Sequence, residues 1–382
     1  MQTLRITGGR VLLQSDGEQV VDIALADGRI AGIDSFTRGP VFDARDLLVL
    51  PGIVDIHGDA FERQIQPRPG VDFPIDVALC DTEAQLLANG ITTAFHGVTL
   101  SWEPGLRSLA SWRALLDGLE ARRWTCDMRV HLRWEAYNLD ALETALADIA
   151  AGRVHLLAFN DHTPSILKKL NDPVASAKYS DRASMRLDEF RALVERVGAR
   201  ASAIPAALEL MAAAARDARL PMASHDDESI ATRREFRTRG AHICEFPLAE
   251  DIGEEARAAG DWVVMGSPNV VRGGSHLGWA SAAKLAEAGI CTVLSSDYYY
   301  PAMLRAGLIL AGRGVLDLPR AWALISENPA SATGLTDRGA IAEGLRGDLV
   351  VVDPTIPRVV ATIVGGRIAY LTAEGSGRLS AS

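Results

Sequence analysis

The chain is short of cysteine and lysine and has no long apolar run. Its four cysteines, at 80, 126, 244 and 291, include no CxxC pair, which excludes a disulfide framework and a cysteine-type zinc ribbon. No hydrophobic stretch approaches the roughly 20 residues of a transmembrane helix, so no membrane span is expected. The amino-terminal MQTLRITGGRVLL lacks the basic segment, apolar run and small-residue cleavage site of a signal peptide, and a cytoplasmic location is the expectation. Lys168, Lys169, Lys178 and Lys284 are the only lysines among 39 basic residues. Genome composition accounts for that bias, but it matters for metal sites that recruit a lysine. The net charge of −10 argues against non-specific nucleic-acid binding. It leaves room for a polyanionic substrate, because local arginines can outweigh the global sign. At 382 residues, 48% hydrophobic, the chain can bury a large core without staples.

What is present is β-rich at both ends and alternating in between. TLRITGGRVLL, VVDIALADGRIAGID and VFDARDLLVL near the start, and DLVVVD and RVVATIVGGRIAYL near the end, alternate apolar with polar residues and break at Gly, Asp or Ser. They predict one small β-sandwich domain built from residues 1–50 and 340–382. The middle, 51–339, holds eight short β-type runs, at 52–59, 91–98, 127–135, 153–162, 220–227, 241–247, 261–269 and 290–297. Between them lie stretches such as DTEAQLLANG, ALETALADIAAG and SAIPAALELMAAAARDARL, with helix formers at helical spacing and often a closing glycine. The expected fold class is α/β, a (β/α)8 TIM-type barrel.

In nearly every run the apolar residues come first and the polar ones last. His57 and Asp59 end the first run, and His131, Arg133 and Glu135 the third. His162 ends the fourth, His225 and Asp227 the fifth, Glu245 the sixth, Asn269 the seventh and Asp297 the eighth. In a barrel these tips meet at the C-terminal face, where active sites are built. Strand alternation puts His57 with Asp59, and His131 with Arg133 and Glu135, on shared faces. Histidines and carboxylates converging on an open site suit zinc, manganese or iron, and such an ion makes water a nucleophile at neutral pH. Asp297 could be a ligand or the base that takes the water's proton. His96, His155 and His242 sit inside apolar runs and read as core or surface residues, and His131 as a partner behind the ligands.

A second signal is basic. In PNVVRGGSH, after the seventh strand, Arg272 can bind phosphate as a fork and the glycines let backbone N–H groups approach an anion. Asn269, Gly273, Gly274 and His276 belong to the same loop. Arg63 and Arg68 follow the first metal motif, Arg133 lies in the third run, and Lys168 and Lys169 follow NDHTP. Each alone is ordinary. Together, beside a metal, they predict an anionic, phosphorylated substrate held by Arg63, Arg68, Arg133, Lys169, Asn269, Arg272, Gly273, Gly274 and His276.

LPGIVDIHGD ahead of the barrel and GDLVVVD after it resemble the amidohydrolase superfamily. HLRWE, NDHTP, ASHDD, EFP, PNVVRGGSH, LSSDY and NPASATGL are similar, in order, to the PhnM-like diphosphatases of phosphonate metabolism. That resemblance implies a metal-dependent hydrolase that cleaves α-D-ribose 1-methylphosphonate 5-triphosphate to the 5-phosphate and diphosphate. It implies a site drawing on His57, Asp59, Glu135, His162 and His225 for one or two divalent ions, zinc first and manganese or iron otherwise, with Asp297 as acid/base. No lysine ends a strand, so Glu135 is the candidate bridging or sole carboxylate in place of a carboxylated lysine. The chain reads HGDAFERQ where the group usually reads HTDNLEKH, HLRWE for HLRCE, and DYYYP for a shorter loop. The changes at Gly58, Ala60, Gln64 and Trp134, and in the tyrosine loop, are expected at the rim of the pocket.

Two other functions are open at this point. The same metal-activated water could cleave a C–N bond, in a cyclic amide or N-acyl group of another anionic substrate, since fold does not fix function. A barrel without turnover, serving as a scaffold, is the other. The expected partner is a small phosphorylated sugar, with no nucleic acid or membrane; a homodimer fits the usual symmetry of soluble oligomers.

Overall fold

The structure, a computed structural model, describes the chain except residues 1–2, 15–16, 37, 69, 184, 275–280 and 382, and Arg182 by its backbone alone. The eight predicted runs form eight parallel strands: Ile53–Gly58, Ile91–Leu100, Asp127–Glu135, Leu156–Asn160, Met222–His225, Ile243–Glu245, Trp262–Gly266 and Val293–Ser295. Each pairs with the next in sequence. A bridge between Gly58 and Asp297 brings the last strand back to the first and nearly closes the barrel. Inward residues from different strands, among them Ile56, Phe95, Ala158, Ala223, Ile243, Val264 and Val293, pack into one apolar layer. Two positions further along, the same inward rows turn polar at Asn160, His225 and Glu245. Period-two alternation thus stacks a polar layer on an apolar one.

The closing seam is held by Asp55, which is fully buried. Its carboxylate accepts the Ser296 hydroxyl at 2.5 Å, the Ser296 N–H at 3.0 Å and the His57 N–H at 3.3 Å. A Cβ on Gly58 would lie 2.7 Å from both Asp55 Oδ2 and Ser296 Oγ, so the seam admits only glycine there without a shift.

Amphipathic helices cover the strands. In Leu109–Glu120 the Ser108 hydroxyl accepts from the Ser111 N–H and caps the first turn. Trp112, Leu115 and Leu116, at helical spacing, are its buried face. Between the fourth and fifth strands the helices Thr163–Lys169, Pro173–Arg182 and Leu187–Gly198 precede Ile204–Asp217. No single helix among the described residues is long and apolar enough to cross a membrane.

Both termini build the small β-sandwich-type domain, in one connected nine-stranded sheet. Strand Leu349–Asp353 lies antiparallel to Leu48–Pro51, which ties the two ends of the chain together. Ile23, Leu25, Val49, Val351 and Ile363 are wholly buried in its core. It docks on the barrel through Trp322, whose indole N–H donates to the Pro51 carbonyl, and Thr362, whose hydroxyl donates to that of Leu87.

Candidate metal centre and cleft

The strand tips surround a cleft of about 170 Å³ lined by His57, Asp59, Arg133, His225, Asp226 and Asp297, and further out by Asn269, Arg272, Gly274 and Tyr298. Beneath it lies a close cluster around Glu245. Glu245 Oε2 is 3.0 Å from His57 Nδ1, 3.3 Å from His225 Nδ1 and 3.8 Å from His131 Nε2. Glu245, on the sixth strand, is paired in register with His225 on the fifth. Burial pushes the Glu245 carboxyl up to about 7 and holds His131 down near 3. Burial, with the Arg133 charge adding, keeps His57 and His225 far below the usual histidine range. These imidazoles are therefore neutral, the form that ligates metals.

A second group sits higher. His162 hydrogen-bonds Glu135 through Nδ1, and its backbone N–H donates to Glu135 Oε2 at 3.2 Å. Its Nε2 is 3.8 Å from Asp226 Oδ2, which is also 3.6 Å from His225 Nε2. Burial opposes a charge on His162, but the bonds to Asp226 and Glu135 outweigh it and raise the ring to about 9. Burial likewise raises Glu135, and its His162 partner more than reverses that.

Both groups, His57–His131–Glu245 and His162–His225–Asp226, have ligand atoms close enough to hold an ion. The fit is best tested on the inner one. His57 Nδ1, His131 Nε2 and Glu245 Oε1 are buried without a hydrogen-bond partner, which is costly unless something else satisfies them. A tetrahedral zinc with bonds of about 2.0–2.1 Å places its ligand atoms about 3.3 Å apart, close to the spacings around Glu245. His131 Nδ1 lies 3.0 Å from the Ile56 carbonyl, the kind of partner that orients a ligating ring. The residues fit a divalent metal.

The structure brings most of the predicted residues together, in a different grouping. His57, Asp59, His225 and Asp297 share the cleft; Glu135 and His162 pair with each other beside it. Glu245 and Asp226, given no role from sequence, take the places next to the imidazoles. Asp226 does so because the chain turns there in the left-handed region, with φ of 55°. That turn carries Asp227 away to a buried bond with the Ser224 hydroxyl at 2.6 Å and an ion pair with Arg233. His131 faces Glu245 directly rather than standing behind the ligands.

Asp297 also has a left-handed backbone, φ 55°. Its N–H donates to the His57 carbonyl and its own carbonyl accepts from Asp59 N–H, both at 2.9 Å. Burial, with the Asp59 charge adding, raises its carboxyl to about 7. Burial raises Asp59 to about 6 against the pull of Arg133. Arg133 lies between them and His225, with Nη1 3.5 Å from Asp59 Oδ2 and Nη2 3.0 Å from His225 Nε2.

Among the basic residues, Arg133 and Arg272 line the cleft. Arg272 donates to the Tyr298 hydroxyl at 3.3 Å, and Arg63 sits 6.0 Å from the same ring. Arg68 and Lys169 are exposed and away from the cleft wall. His276 lies outside the described residues. Gly273 and Gly274 differ from expectation: Ser267–Arg272 is a short helix, and their N–H groups close its end on the carbonyls of Val270 and Asn269. These amides face the helix rather than an anion, although Gly274 still lines the cleft. All four lysines are exposed, so none reaches the metal residues. His96 is a buried ring against Phe61, His155 accepts from the Val130 N–H, and His242 is exposed beside Asp261, as their apolar settings predicted.

The residues expected at the rim are mostly elsewhere. Trp134 is fully buried in the layer between strands and helices, with Leu132, because it alternates with the inward Arg133. Ala60 is buried, Gly58 is fixed by the seam, and Gln64 does not line the cleft. Tyr298, in the tyrosine loop, does.

Comparison with known proteins places this geometry in a family. Residues 48–375 match the model of the amidohydrolase family. The chain is 33% identical over 311 residues to the α-D-ribose 1-methylphosphonate 5-triphosphate diphosphatase of Escherichia coli K12, covering 79% of this chain and 82% of that one. A 101-residue stretch is 33% identical to an allantoinase of Bacillus licheniformis, covering 26% of this chain and 21% of the relative. In fold it is similar to a 5-methylcytosine deaminase from Klebsiella pneumoniae, with TM-score 0.62 and 16% identity over 96% of this chain and 97% of that one. An N-acetylglucosamine-6-phosphate deacetylase from Pasteurella multocida gives TM-score 0.64 at 9% identity, over 96% and 99%. The chain, with its barrel, its terminal β domain and its ring of histidines and carboxylates, belongs to the amidohydrolase family.

Proposed function

We propose that the chain is a metal-dependent phosphoanhydride hydrolase that releases diphosphate from α-D-ribose 1-methylphosphonate 5-triphosphate and leaves the 5-phosphate. The observation that carries this reading is one cleft in which His57, Asp59, His225 and Asp297 lie beside Arg133 and Arg272. The identity to the Escherichia coli diphosphatase supports the substrate.

In this reading His57, Asp59, Glu135, His162 and His225 hold one or two divalent ions, with Glu245, His131 and Asp226 as further donors. Zinc is the first choice for such a set, with manganese and iron as alternatives. A bound ion would lower the pKa of water toward 7 and so supply a nucleophile at neutral pH. Asp297, half-buried in the cleft wall and close to neutral pKa, receives the proton of the attacking water. Arg272 holds the phosphates at the mouth, and Arg133 balances charge that gathers on the oxygens during transfer. Phosphoryl transfer leaves a protein mainly this charge and positioning work. Asn269 and Gly274 complete the outer wall, with Arg63 beside the Tyr298 ring.

The test is phosphorus NMR of zinc-reconstituted protein with the ribose triphosphate, and ATP and an anionic N-acyl compound in parallel. Diphosphate release strongly preferred over ATP hydrolysis is the expected result. No release from protein shown to hold metal, with turnover of the N-acyl compound instead, would move the chemistry to C–N cleavage.

A further inference from the structure

His225 stands between the two groups of donors, with Nδ1 3.3 Å from Glu245 Oε2 and Nε2 3.6 Å from Asp226 Oδ2. Its Nε2 already has a partner, because Arg133 Nη2 lies 3.0 Å away. A guanidinium can only donate, so this nitrogen accepts. A neutral imidazole has one such lone pair. The ring proton is then on Nδ1, facing the Glu245 carboxylate. Held in this way, His225 orients Glu245 and has no lone pair left for an ion.

Arg133 is built into this place. It is 6% exposed, and its Nη1 is 3.5 Å from Asp59 Oδ2. Its stem passes Gly97 on the second strand, where a Cβ would lie 3.3 Å from Arg133 Cδ and 3.7 Å from His57 Cδ2. The missing side chain leaves the stem its room. The guanidinium thus takes up Asp59 and His225 Nε2, two donors that a second ion would need. A divalent ion beside it would also face a fixed like charge away from bulk water.

The inner trio is left intact. The Ile56 carbonyl can only accept, so His131 carries its proton on Nδ1 and turns the Nε2 lone pair toward Glu245. His57, His131 and Glu245 bring their ligand atoms together. Two histidines and one glutamate are a set that holds a catalytic zinc with its fourth position open.

We propose that the chain binds a single ion on His57, His131 and Glu245, and that the Arg133 guanidinium occupies the place of a second. The assignment rests on the metal-dependent hydrolase reading and deepens it. Of one or two ions it selects one, and the charge that a second would bring to the phosphate oxygens comes from Arg133.

The test counts zinc in the full chain after loading and dialysis, and reads X-ray absorption at the zinc edge. The wild type should hold one ion per chain, with no metal–metal scattering at about 3.5–4 Å, the spacing of two-metal sites. Arg133→Met, similar in length and uncharged, frees His225 Nε2 and Asp59. Its zinc count should double, and the scattering should appear. Two ions in the wild type, or one in a folded Arg133→Met, would overturn the assignment. Nitrogen NMR of the histidine rings decides the same point without a variant, and serves if Arg133→Met fails to fold. In the zinc-loaded wild type the His225 proton should be on Nδ1 with Nε2 free of metal; zinc on either nitrogen of that ring would overturn the assignment. None of these readouts depends on turnover. One ion without diphosphate release would retire the diphosphatase reading and keep the Arg133 assignment; diphosphate release with two ions would do the reverse.

Discussion

Asp297 combines a strained backbone with a carboxyl of unusual pKa. A left-handed aspartate costs about 1–3 kcal/mol unless its surroundings fix it, and here the two bonds to the first strand do so. Asparagine tolerates the same backbone, so Asp297→Asn should fold normally and retain metal at the inner residues. It cannot take a proton, and kcat should fall by about 10²–10⁴-fold, the usual weight of a general base. Turnover near wild type, measured alongside metal content, would remove Asp297 from that role. Arg272 allows a cleaner separation, because it sits at the mouth and contacts Tyr298 rather than the histidines. Arg272→Ala should raise KM for triphosphates by roughly tenfold or more, the range for a charged hydrogen bond, and leave uncharged esters nearly unaffected. Equal effects on the two substrate classes would place Arg272 outside the phosphate path.

At the level of strands and turns, period-two alternation explains both what was readable and what was not. Seven of the eight barrel strands lie within the runs seen in the sequence and the second continues two residues past its run, to Leu100; His131, Arg133 and Glu135 do share the inward face. The same rule sends Trp134 outward, so a departure from the family motif next to the inward Arg133 lies in the layer between strands and helices rather than at the rim. Glu245 was visible as a strand tip, but its role depends on lateral register with His225, and a single strand carries no record of its neighbour. Asp226 and Asp227 exchange expected directions because one left-handed residue ends the alternation. PNVVRGG reads as an anion loop, but Pro268 near the start and Gly273 past the end are also helix punctuation, and the helix claims the glycine amides. The Gly58–Asp297 seam carries its own prediction. In Gly58→Ala the new methyl group would meet Asp55 and Ser296 at 2.7 Å, and overpacking of that kind costs about 1–3 kcal/mol. Urea unfolding should show the loss as a lower midpoint with an unchanged slope. An unshifted midpoint would mean that the seam yields.

Across the whole molecule, the buried and half-buried titratable groups make stability depend on metal and pH together. Burial raises Glu245 and Asp297 to about 7, and the bonds to Asp226 and Glu135 raise His162 to about 9 against its burial. A group with a raised folded pKa contributes stability that is complete below its unfolded pKa and is lost as pH rises through the folded one. Unfolded values are about 4 for carboxylates and about 6.5 for histidine. His57, His131 and His225 are shifted downward, so their contribution is present above about pH 6.5 and lost below it. Between about pH 6.5 and 9 they are neutral in both states and drop out. Only the raised groups then act, and the metal-free protein should lose stability as pH climbs through that window. Metal reverses the balance, because its ligands are the neutral imidazoles and ionised carboxylates that high pH favours. Thermal unfolding of chelator-stripped and zinc-reloaded protein should therefore show a gap in Tm that widens from pH 6.5 to 9. A gap that stays constant or narrows would mean that the ion is held by other residues than these, since no other buried cluster among the described residues pairs neutral histidines with carboxylates poised so near neutrality.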